Sequence, residues 1–331
     1  MRILHWHVHG SWTTAFVQGG HTYLLPVTPE RGPYGLGRAA TWDWPASAVE
    51  VPVDQLRDTD VDVVVLQRPE EIGLVERWLG RRPGADLPAV YVEHNTPRGA
   101  VPETEHPLAD RDDIPVVHVT HYNEVMWDCG RAPTTVVEHG IVDPGNRYTG
   151  DLPRAAVVVN DPVRRWRVTG TDLLPRFLEA APLDVFGMRV DRLPAVLESR
   201  VAATVGPPAA APQLRTYEDL PQNEMHAELA RRRVYVHPLR WTSLGLSLLE
   251  AMHLGMPVVA LDSTEVSEAV PPGAGIVSTR VDALADAVRW LMDDHDAARE
   301  LGQRAREAAT ARYGLRRFVE DWDRLLWEVT R

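Results

Sequence analysis

Short β-branched apolar runs alternate with longer helical patterns along the whole of this 331-residue chain. Val61–Leu66 and Ala89–Glu93 are typical of the runs, and Val281–Asp293 is typical of the helical patterns. This alternation is typical of parallel sheets covered by helices on both faces. The length favours two domains of roughly 150 residues each. The sequence therefore predicts an α/β protein with two Rossmann-like halves.

The first half holds five predicted strands, at Arg2–Val8, Val61–Leu66, Ala89–Glu93, Val116–Val119 and Thr135–Glu138. Predicted helices follow at Ile72–Gly80 and Tyr122–Cys129. The segment Gly10–Val53 is rich in Gly, Pro and Trp, and we expect a loop region there with one short helix near Trp12–Val17.

The second half begins after a predicted linker at 144–153, which is rich in Pro and Gly. Its predicted strands are Ala155–Val159, Leu183–Phe186, Val234–His237 and Pro257–Leu261. Its predicted helices are Asp172–Ala180, Glu224–Arg231, Leu246–Leu254, Val281–Asp293, Asp296–Ala311 and Leu315–Val329. Pro207–Pro212 is predicted to be a low-complexity loop.

Charge and cysteine content exclude several classes of function. The chain carries 35 basic and 47 acidic residues, and its net charge of −12 disfavours nucleic acid as a partner. The single cysteine, Cys129, excludes an internal disulfide and a cysteine-built zinc site. No apolar run approaches the ~20 residues that span a bilayer, and the N-terminus lacks the long apolar stretch of a signal peptide. We expect a cytoplasmic protein.

The segment 234–261 is predicted to be a strand, a loop containing Ser243 and Gly245, a helix and a second strand. The start of that helix lies at the carboxyl end of a parallel strand, where its free backbone N–H groups favour an anion. Glu250 lies about two turns into the helix, and a carboxylate there suits a ribose diol. The residues alone leave two readings open: a nucleotide-diphosphate site, or an ordinary βαβ unit whose Glu250 is solvated.

A basic loop follows the first strand of the second half, with Arg164, Arg165 and Arg167 close together. Guanidinium groups bind a diphosphate in a bidentate manner and stabilise the charge that develops on it as a leaving group. A solvated basic turn is the alternative.

The segment 234–261 resembles the donor-site signature of the retaining glycosyltransferases with the GT-B fold, glycosyltransferase family 4 (glycosyl transferases group 1). The residues in step with that signature are Pro238, Gly245, Leu246, Leu249, Glu250, Ala251, Met252, Gly255, Pro257, Val258 and Val259. The resemblance implies that Glu250 binds the ribose hydroxyls. It also implies that the backbone after Ser243, at Leu244, Gly245 and Leu246, approaches the sugar and phosphates of the donor.

Thr242 stands where the signature has a glutamate that contacts the donor sugar. This departure implies either an unusual donor, such as a deoxy or amino sugar, or weakened catalysis. In the basic loop, Arg164 and Gly170 match the family, and Thr169 stands where the family has lysine. Arg165 or Arg167 is the candidate for the missing charge.

The resemblance extends to two positions in the first half. Gly10 corresponds to a glycine loop near the donor phosphates. His94 ends a predicted strand where the family has a histidine close to the reacting sugar carbon. Because retaining members usually lack an evident protein nucleophile, His94 is expected to bind the sugar or the acceptor as a positioning residue.

His5, His7 and His9 alternate, which on a strand places all three on one face. Such spacing suits a transition metal, but no carboxylate or cysteine pattern accompanies it, and we predict no metal site. No cofactor is expected other than the nucleotide-sugar co-substrate.

The resemblance implies residues 1–147 as an acceptor-binding domain, 148–312 as a nucleotide-sugar domain, and 313–331 as a helix that crosses back to the first. The two domains would face a central cleft. The expected function is metal-independent, retaining transfer of a sugar to a small-molecule or glycan acceptor. Two alternatives stay open: a degenerate GT-B protein that binds a partner, and a sugar-nucleotide epimerase. A nicotinamide-dependent dehydrogenase is disfavoured because neither half has Gly-x-Gly-x-x-Gly directly after its first strand.

Overall fold

The computed structural model describes residues 1–205 and 213–331, which form two compact units. Unit 1 comprises Met1–Val142 and Tyr313–Arg331, and unit 2 comprises Asp143–Arg312. The predicted loop Pro207–Pro212 lies outside the described residues.

Unit 1 is built on a sheet of seven parallel strands in the order β3-β2-β1-β4-β5-β6-β7. The strands are β1 (Arg2–His5), β2 (Thr22–Val27), β3 (Ala48–Pro52), β4 (Val63–Leu66), β5 (Ala89–Glu93), β6 (Val116–His118) and β7 (Thr134–Val136). The helices that connect them are α1 (Gly10–Phe16), a 3-10 helix (Val53–Asp58), α2 (Glu70–Leu79) and α3 (His121–Met126). The direction of strand order reverses between β1 and β4, which places a topological switch point there.

Two predictions in unit 1 are wrong. The segment Gly10–Val53 contains strands β2 and β3 in addition to the short helix α1, so it is not a loop region. Residues Tyr23 to Pro26 of β2 are all buried, so this strand belongs to the core. It was not predicted because Pro26 interrupts the apolar run. The first strand ends at His5 and not at Val8, because the chain turns to start α1 at Gly10.

Unit 2 has six parallel strands in the order β10-β9-β8-β11-β12-β13. They are β8 (Leu152–Val158), β9 (Leu183–Gly187), β10 (Leu214–Glu218), β11 (Arg232–His237), β12 (Val258–Leu261) and β13 (Ile276–Ser278). The order again reverses, here between β8 and β11. Strands β9, β11 and β12 are mostly buried, and β8 is buried at Ala155–Val157, as expected when helices cover both faces of a parallel sheet.

The helices of unit 2 are α4 (Pro162–Arg165), a 3-10 helix (Thr171–Leu173), α5 (Leu174–Leu178), α6 (Leu193–Val205), α7 (Gln222–Leu229), α8 (Leu246–His253), α9 (Val266–Ala269), α10 (Val281–Asp293) and α11 (His295–Arg312). Five of these elements were not predicted from the sequence: α4, α6, α9, β10 and β13. Strand β10 is an edge strand with no fully buried position, so it lacks the apolar run that identifies the other strands.

The last helix, α12 (Leu315–Val329), belongs to unit 1. Its Phe318 and Trp322 are buried, and the Trp322 ring lies 5.1 Å from the ring of Phe16 and 5.6 Å from that of Trp12. These edge-to-face contacts fix α12 against α1. Within the described ranges, no helix is both long enough and apolar enough to cross a membrane.

Candidate functional site

Two loops meet at the switch point of unit 2, one after β8 and one after β11. The backbone N–H groups of Arg240 and Trp241 both donate to the carbonyl of Val168, at 2.9 and 3.1 Å. Gly170 has a φ of +66°, and a Cβ placed on it would lie 1.8 Å from the carbonyl oxygen of Pro238. The loops after β8 and β11 are therefore in direct contact. Residue 170 must be glycine because its φ is positive and because no space remains for a Cβ.

We expect Gly170→Ala to reduce the free energy of unfolding of unit 2 by about 1–3 kcal/mol, because the new Cβ meets the backbone of Pro238 at an unfavourable φ. Chemical denaturation of the variant measures this loss. Gly273→Ala is the control, since Gly273 also has a positive φ but no atom within 4 Å of its Cβ position. If both variants lose the same free energy of unfolding, the loss comes from the positive φ alone, and the contact between residue 170 and Pro238 contributes nothing.

Helix α8 begins beside this loop junction. Its N-cap, Gly245, has extended backbone angles and makes no side-chain capping hydrogen bond. Ser243 and Leu244 are buried, Leu246 starts the helix, and Thr242 is partly buried just before them. The start of α8 thus offers backbone N–H groups and the positive end of the helix dipole to an anion.

Arg164 lies on α4, with its side chain 69% exposed, and forms an ion pair with Asp161 whose Nη2–Oδ2 distance is 2.8 Å. Arg189, which follows β9, binds the same carboxylate at 2.9 Å. The hydrogen bond from Arg164 is the largest cause of the lowered pKa of Asp161, and that from Arg189 adds to it. Two guanidinium groups share one carboxylate, so this cluster carries a net positive charge.

The backbone around this ion pair lies in a sparsely populated region. Asp161 has a φ of +57° and Arg189 a φ of +59°, and neither is glycine. Such residues cost about 1–3 kcal/mol each and concentrate at binding and active sites. Both line a cavity of about 580 Å³ together with Val163, Arg164, Asp191, Arg192 and Glu218, so its lining has three arginines and three carboxylates. The carboxylate of Glu218 accepts the backbone N–H groups of residues 189–191, so much of its charge is already satisfied.

The other charged residues of the β8 loop have partners within the loops. Arg167 donates to Asp172 at 3.0 Å, and Arg240 binds the same carboxylate at 2.9 Å. The buried hydroxyl of Thr169 lies 2.9 Å from that of Thr171. Arg165 is half-buried, and its backbone N–H donates to the carbonyl of Asp161. Thr169 therefore contributes to the loop's internal packing and brings no positive charge.

Glu250 is 3% exposed on the second turn of α8, and its carboxylate contacts helix α7. The side-chain amide of Gln222 donates to it at 3.2 Å, and Nε2 of His226 lies 3.5 Å away. A buried carboxylate with hydrogen-bond partners is held in place, and it is a ready acceptor for hydroxyl groups.

In unit 1, three side chains meet at the switch point between β1 and β4. The ring of His94 packs on that of His9 with centroids 4.1 Å apart, and Trp12 meets it edge-on at 5.1 Å. Nε2 of His94 lies 3.0 Å from the side-chain oxygen of Gln67. Burial, followed by the neighbouring His9 and His139, holds the pKa of His94 well below its usual value. The imidazole is therefore neutral near pH 7. Gly10 starts α1 nearby, and its Cα faces the ring of Trp42, which a Cβ would approach to 2.8 Å.

The three alternating histidines lie in separate environments because β1 ends at His5. His5 packs edge-on between Phe16 and Tyr23, at centroid distances of 5.4 and 5.9 Å, whereas His7 packs against Trp44 at 4.8 Å. Across residues 1–205 and 213–331, no group of three His, Cys, Asp or Glu side chains has the geometry to hold a metal ion.

The structure thus joins the loop that holds Thr169 to the segment just before Ser243 and Gly245, while Arg164 lies in the cavity with Asp161 and Arg189. In unit 1, Gly10 follows β1 and His94 follows β5. Sequence reasoning missed the residues that hold these groups in place: Gln67, Asp161, Arg189, Gln222 and His226. Gln67 carried the clearest available signal, since it directly follows a predicted strand that neighbours β1 and β5 in the sheet.

Residues 210–308 match a family model described as glycosyl transferases group 1. A lipopolysaccharide core biosynthesis mannosyltransferase of Rhizobium meliloti, LpsB, is 30% identical over 210 residues. That match spans 56% of this chain and 55% of the mannosyltransferase, so the alignment reaches about half the length of this relative.

Two solved structures extend the likeness to the whole chain. Anabaena HepE, solved in complex with UDP, superposes with a TM-score of 0.69 at 14% identity and covers 99% of this chain and 100% of its own. Sucrose-phosphate synthase of Thermosynechococcus elongatus gives a TM-score of 0.70 at 15% identity, with 99% and 98% covered. The predicted GT-B fold is confirmed, and so is the resemblance to group 1 glycosyltransferases. Placement in family 4 stays a prediction.

Proposed function

We propose that this chain is a group 1 glycosyltransferase that moves a sugar from a nucleotide diphosphate to a small-molecule or glycan acceptor, with retention of configuration and without a metal ion. The observation that carries the proposal is the junction of the β8 and β11 loops at the switch point of unit 2. Arg164 follows β8 and the uncapped start of α8 follows β11, and parallel sheets bind ligands at this edge, which supports the proposal.

In this proposal unit 2 binds the donor. Arg164 and the backbone N–H groups at the start of α8 bind the diphosphate and stabilise the negative charge that grows as the sugar–phosphate bond breaks. Glu250 accepts hydrogen bonds from the ribose hydroxyls. The ion pair with Asp161 orients Arg164, and Arg189 raises the local positive charge where Thr169 supplies none.

Unit 1 binds the acceptor, and His94 contacts the sugar or the acceptor as a neutral hydrogen-bonding group. Its lowered pKa supports a positioning role, because a neutral ring does not repel the positive charge that develops on the sugar ring. The diphosphate of the donor is the group that takes up the acceptor's proton, on the same face of the sugar. The UDP bound by Anabaena HepE and the mannosyl transfer named for LpsB make UDP and GDP the first nucleotides to test.

Binding of a nucleotide should stabilise the protein measurably. We expect one of UDP, GDP, ADP and dTDP, without added metal, to raise the free energy of unfolding by about 2.7 kcal/mol at 100-fold excess over its Kd. Glu250→Gln is expected to weaken that nucleotide's binding by about 10-fold, because the ribose hydroxyls lose a charged acceptor. Glu300→Gln, on an exposed residue of α11, should bind as the wild type does. Thermal unfolding and calorimetry measure both effects.

The rival functions give different results in the same assays. Consumption of the nucleotide-sugar in the absence of any acceptor, with the sugar still attached, would favour the epimerase. Nucleotide binding with no turnover for any acceptor would favour a partner-binding protein. Anomeric configuration of the product by NMR tests retention, and activity in excess EDTA tests metal independence. No stabilisation by any nucleotide at millimolar concentration would contradict the proposal.

A further inference from the structure

A continuous hydrogen-bond chain runs from the backbone of unit 1 to His94. The side-chain nitrogen of Gln67 donates to the carbonyl of Trp6 at 2.7 Å, and its side-chain oxygen lies 3.0 Å from Nε2 of His94. Gln67 is 4% exposed, so water does not compete for these contacts. These hydrogen bonds link the loops that follow β1, β4 and β5, the three central strands of the sheet.

Only one direction of hydrogen bonding satisfies this chain. A backbone carbonyl accepts and never donates, so the group of Gln67 that faces Trp6 must be its NH₂. The side-chain oxygen of Gln67 then faces His94, and an amide oxygen also only accepts. Nε2 of His94 must therefore carry a proton. In a neutral imidazole the second nitrogen, Nδ1, is then unprotonated and accepts hydrogen bonds.

Neighbouring residues hold Gln67 in this orientation. Its backbone N–H donates to Oε2 of Glu71 at 2.7 Å, and Glu71 is fully buried at the start of α2. Oε1 of Glu71 accepts from Nε of Arg68 at 2.7 Å. A buried carboxylate thus fixes the backbone of the loop after β4, and the hydrogen bond to the carbonyl of Trp6 sets which way the Gln67 amide faces.

We propose that Gln67 is a positioning residue for the transfer reaction: it fixes His94 with its proton on Nε2, so that Nδ1 accepts a hydrogen bond from a hydroxyl group of the sugar or the acceptor. The inference rests on the proposed function for its catalytic consequence. The tautomer itself follows from the contacts of Gln67 alone and is measurable without substrate.

The first test is spectroscopic. In protein labelled with ¹⁵N-histidine, two-bond ¹H–¹⁵N correlations distinguish the two tautomers, and the spectrum of His94→Asn identifies the His94 signals. We expect His94 of the wild type to be protonated on Nε2 at pH 7.5. Gln67→Met should give a mixture of tautomers, and Gln55→Met, on an exposed glutamine, should not change the signals. A wild-type ring protonated on Nδ1, or an unchanged ring in Gln67→Met, would overturn the inference.

The second test is kinetic and uses amide replacements of His94. The amide of asparagine lies near the position of Nδ1, whereas that of glutamine lies near Nε2. His94→Asn should therefore retain about 10-fold more kcat/KM than His94→Gln, since only the former keeps the acceptor that faces the substrate. Gln67→Met should lower kcat by about 10-fold while the Kd of the nucleotide, bound in unit 2, stays unchanged.

The outcomes separate this inference from the proposed function. If wild-type protein transfers sugar and Gln67→Met matches Gln55→Met in kcat, the positioning role is wrong and the transferase stands. If no transfer occurs with any donor, the proposed function fails, and the NMR spectra still decide which tautomer Gln67 selects. If Gln67→Met also changes the Kd of the nucleotide, the substitution disturbs the fold. The loss of kcat then has a structural cause, and the positioning role is contradicted.

Discussion

Arg164→Ala is expected to lower kcat/KM by about 10²–10³-fold, the size of effect seen when one donor to a developing negative charge is removed. Arg164 has an exposed guanidinium in the β8 loop and lines the cavity at the carboxyl ends of β8, β9 and β10. Arg164→Lys should recover part of the loss, because it keeps the charge but not the bidentate geometry. Steady-state kinetics with the donor identified by nucleotide binding measures these values.

Two controls separate catalysis from charge and folding. Arg299→Ala removes an exposed arginine of α11 that pairs with Asp296, so kcat/KM should match the wild type. Asp161→Asn keeps Arg164 but removes the carboxylate that orients it, and we expect a smaller loss, about 10-fold, mainly in kcat. If Arg164→Ala and Arg299→Ala behave alike, Arg164 does not contact the diphosphate.

The elements that the sequence predicted well are those whose burial leaves a continuous apolar signal. Strand β5 and helices α10 and α12 begin and end where predicted, since β5 is buried throughout and each helix has an apolar stripe. Strands β2 and β10 were not predicted, each for its own reason. The first is interrupted by Pro26, and the second is an edge strand without a buried position.

Some residues of the candidate site were likewise predictable from the local sequence, and others were not. Residues in a sequence motif, such as Glu250 and Gly170, were identifiable because their spacing is local. The residues that orient the site come from strands far apart in sequence: Arg189 reaches Asp161 across 28 residues, and Gln67 reaches Trp6 across 61. Pairing of that kind depends on strand order, which a pattern of alternating strands and helices does not specify.

Unit 1 is expected to lose stability sharply as the pH falls below 6.5. Burial lowers the pKa of five of its described histidines, to about 3 for His5 and His139 and about 4 for His118, with His7 and His94 also lowered. In the unfolded chain these rings take up protons near pH 6.5, and in the folded unit they do not. Protonation therefore favours the unfolded state from pH 6.5 down to the folded pKa values.

The size of the loss follows from the same linkage. At pH 5.5 each such histidine costs roughly 1–2 kcal/mol, so His5, His118 and His139 together cost about 4 kcal/mol. That is a large share of a typical stability of about 5–15 kcal/mol, and most carboxylates are still ionised at this pH. Hydrogen exchange followed by mass spectrometry between pH 8 and pH 5.5 should show unit 1 losing protection before unit 2. Among the described histidines of unit 2, burial lowers the pKa of His237 and His253 only.

A matched pair of variants tests the cause. His118→Asn removes one buried ring and should flatten the dependence of unit 1 stability on pH by about 1 kcal/mol per pH unit between pH 6 and pH 5. His121→Asn replaces a ring that is 60% exposed on α3, so the slope should not change. Equal slopes in the two variants would mean that His118 is protonated in the folded unit, and that its burial does not exclude the charge. Because His94 belongs to the same group of neutral rings, a steep slope would also support its role as an uncharged hydrogen-bonding residue at pH 7.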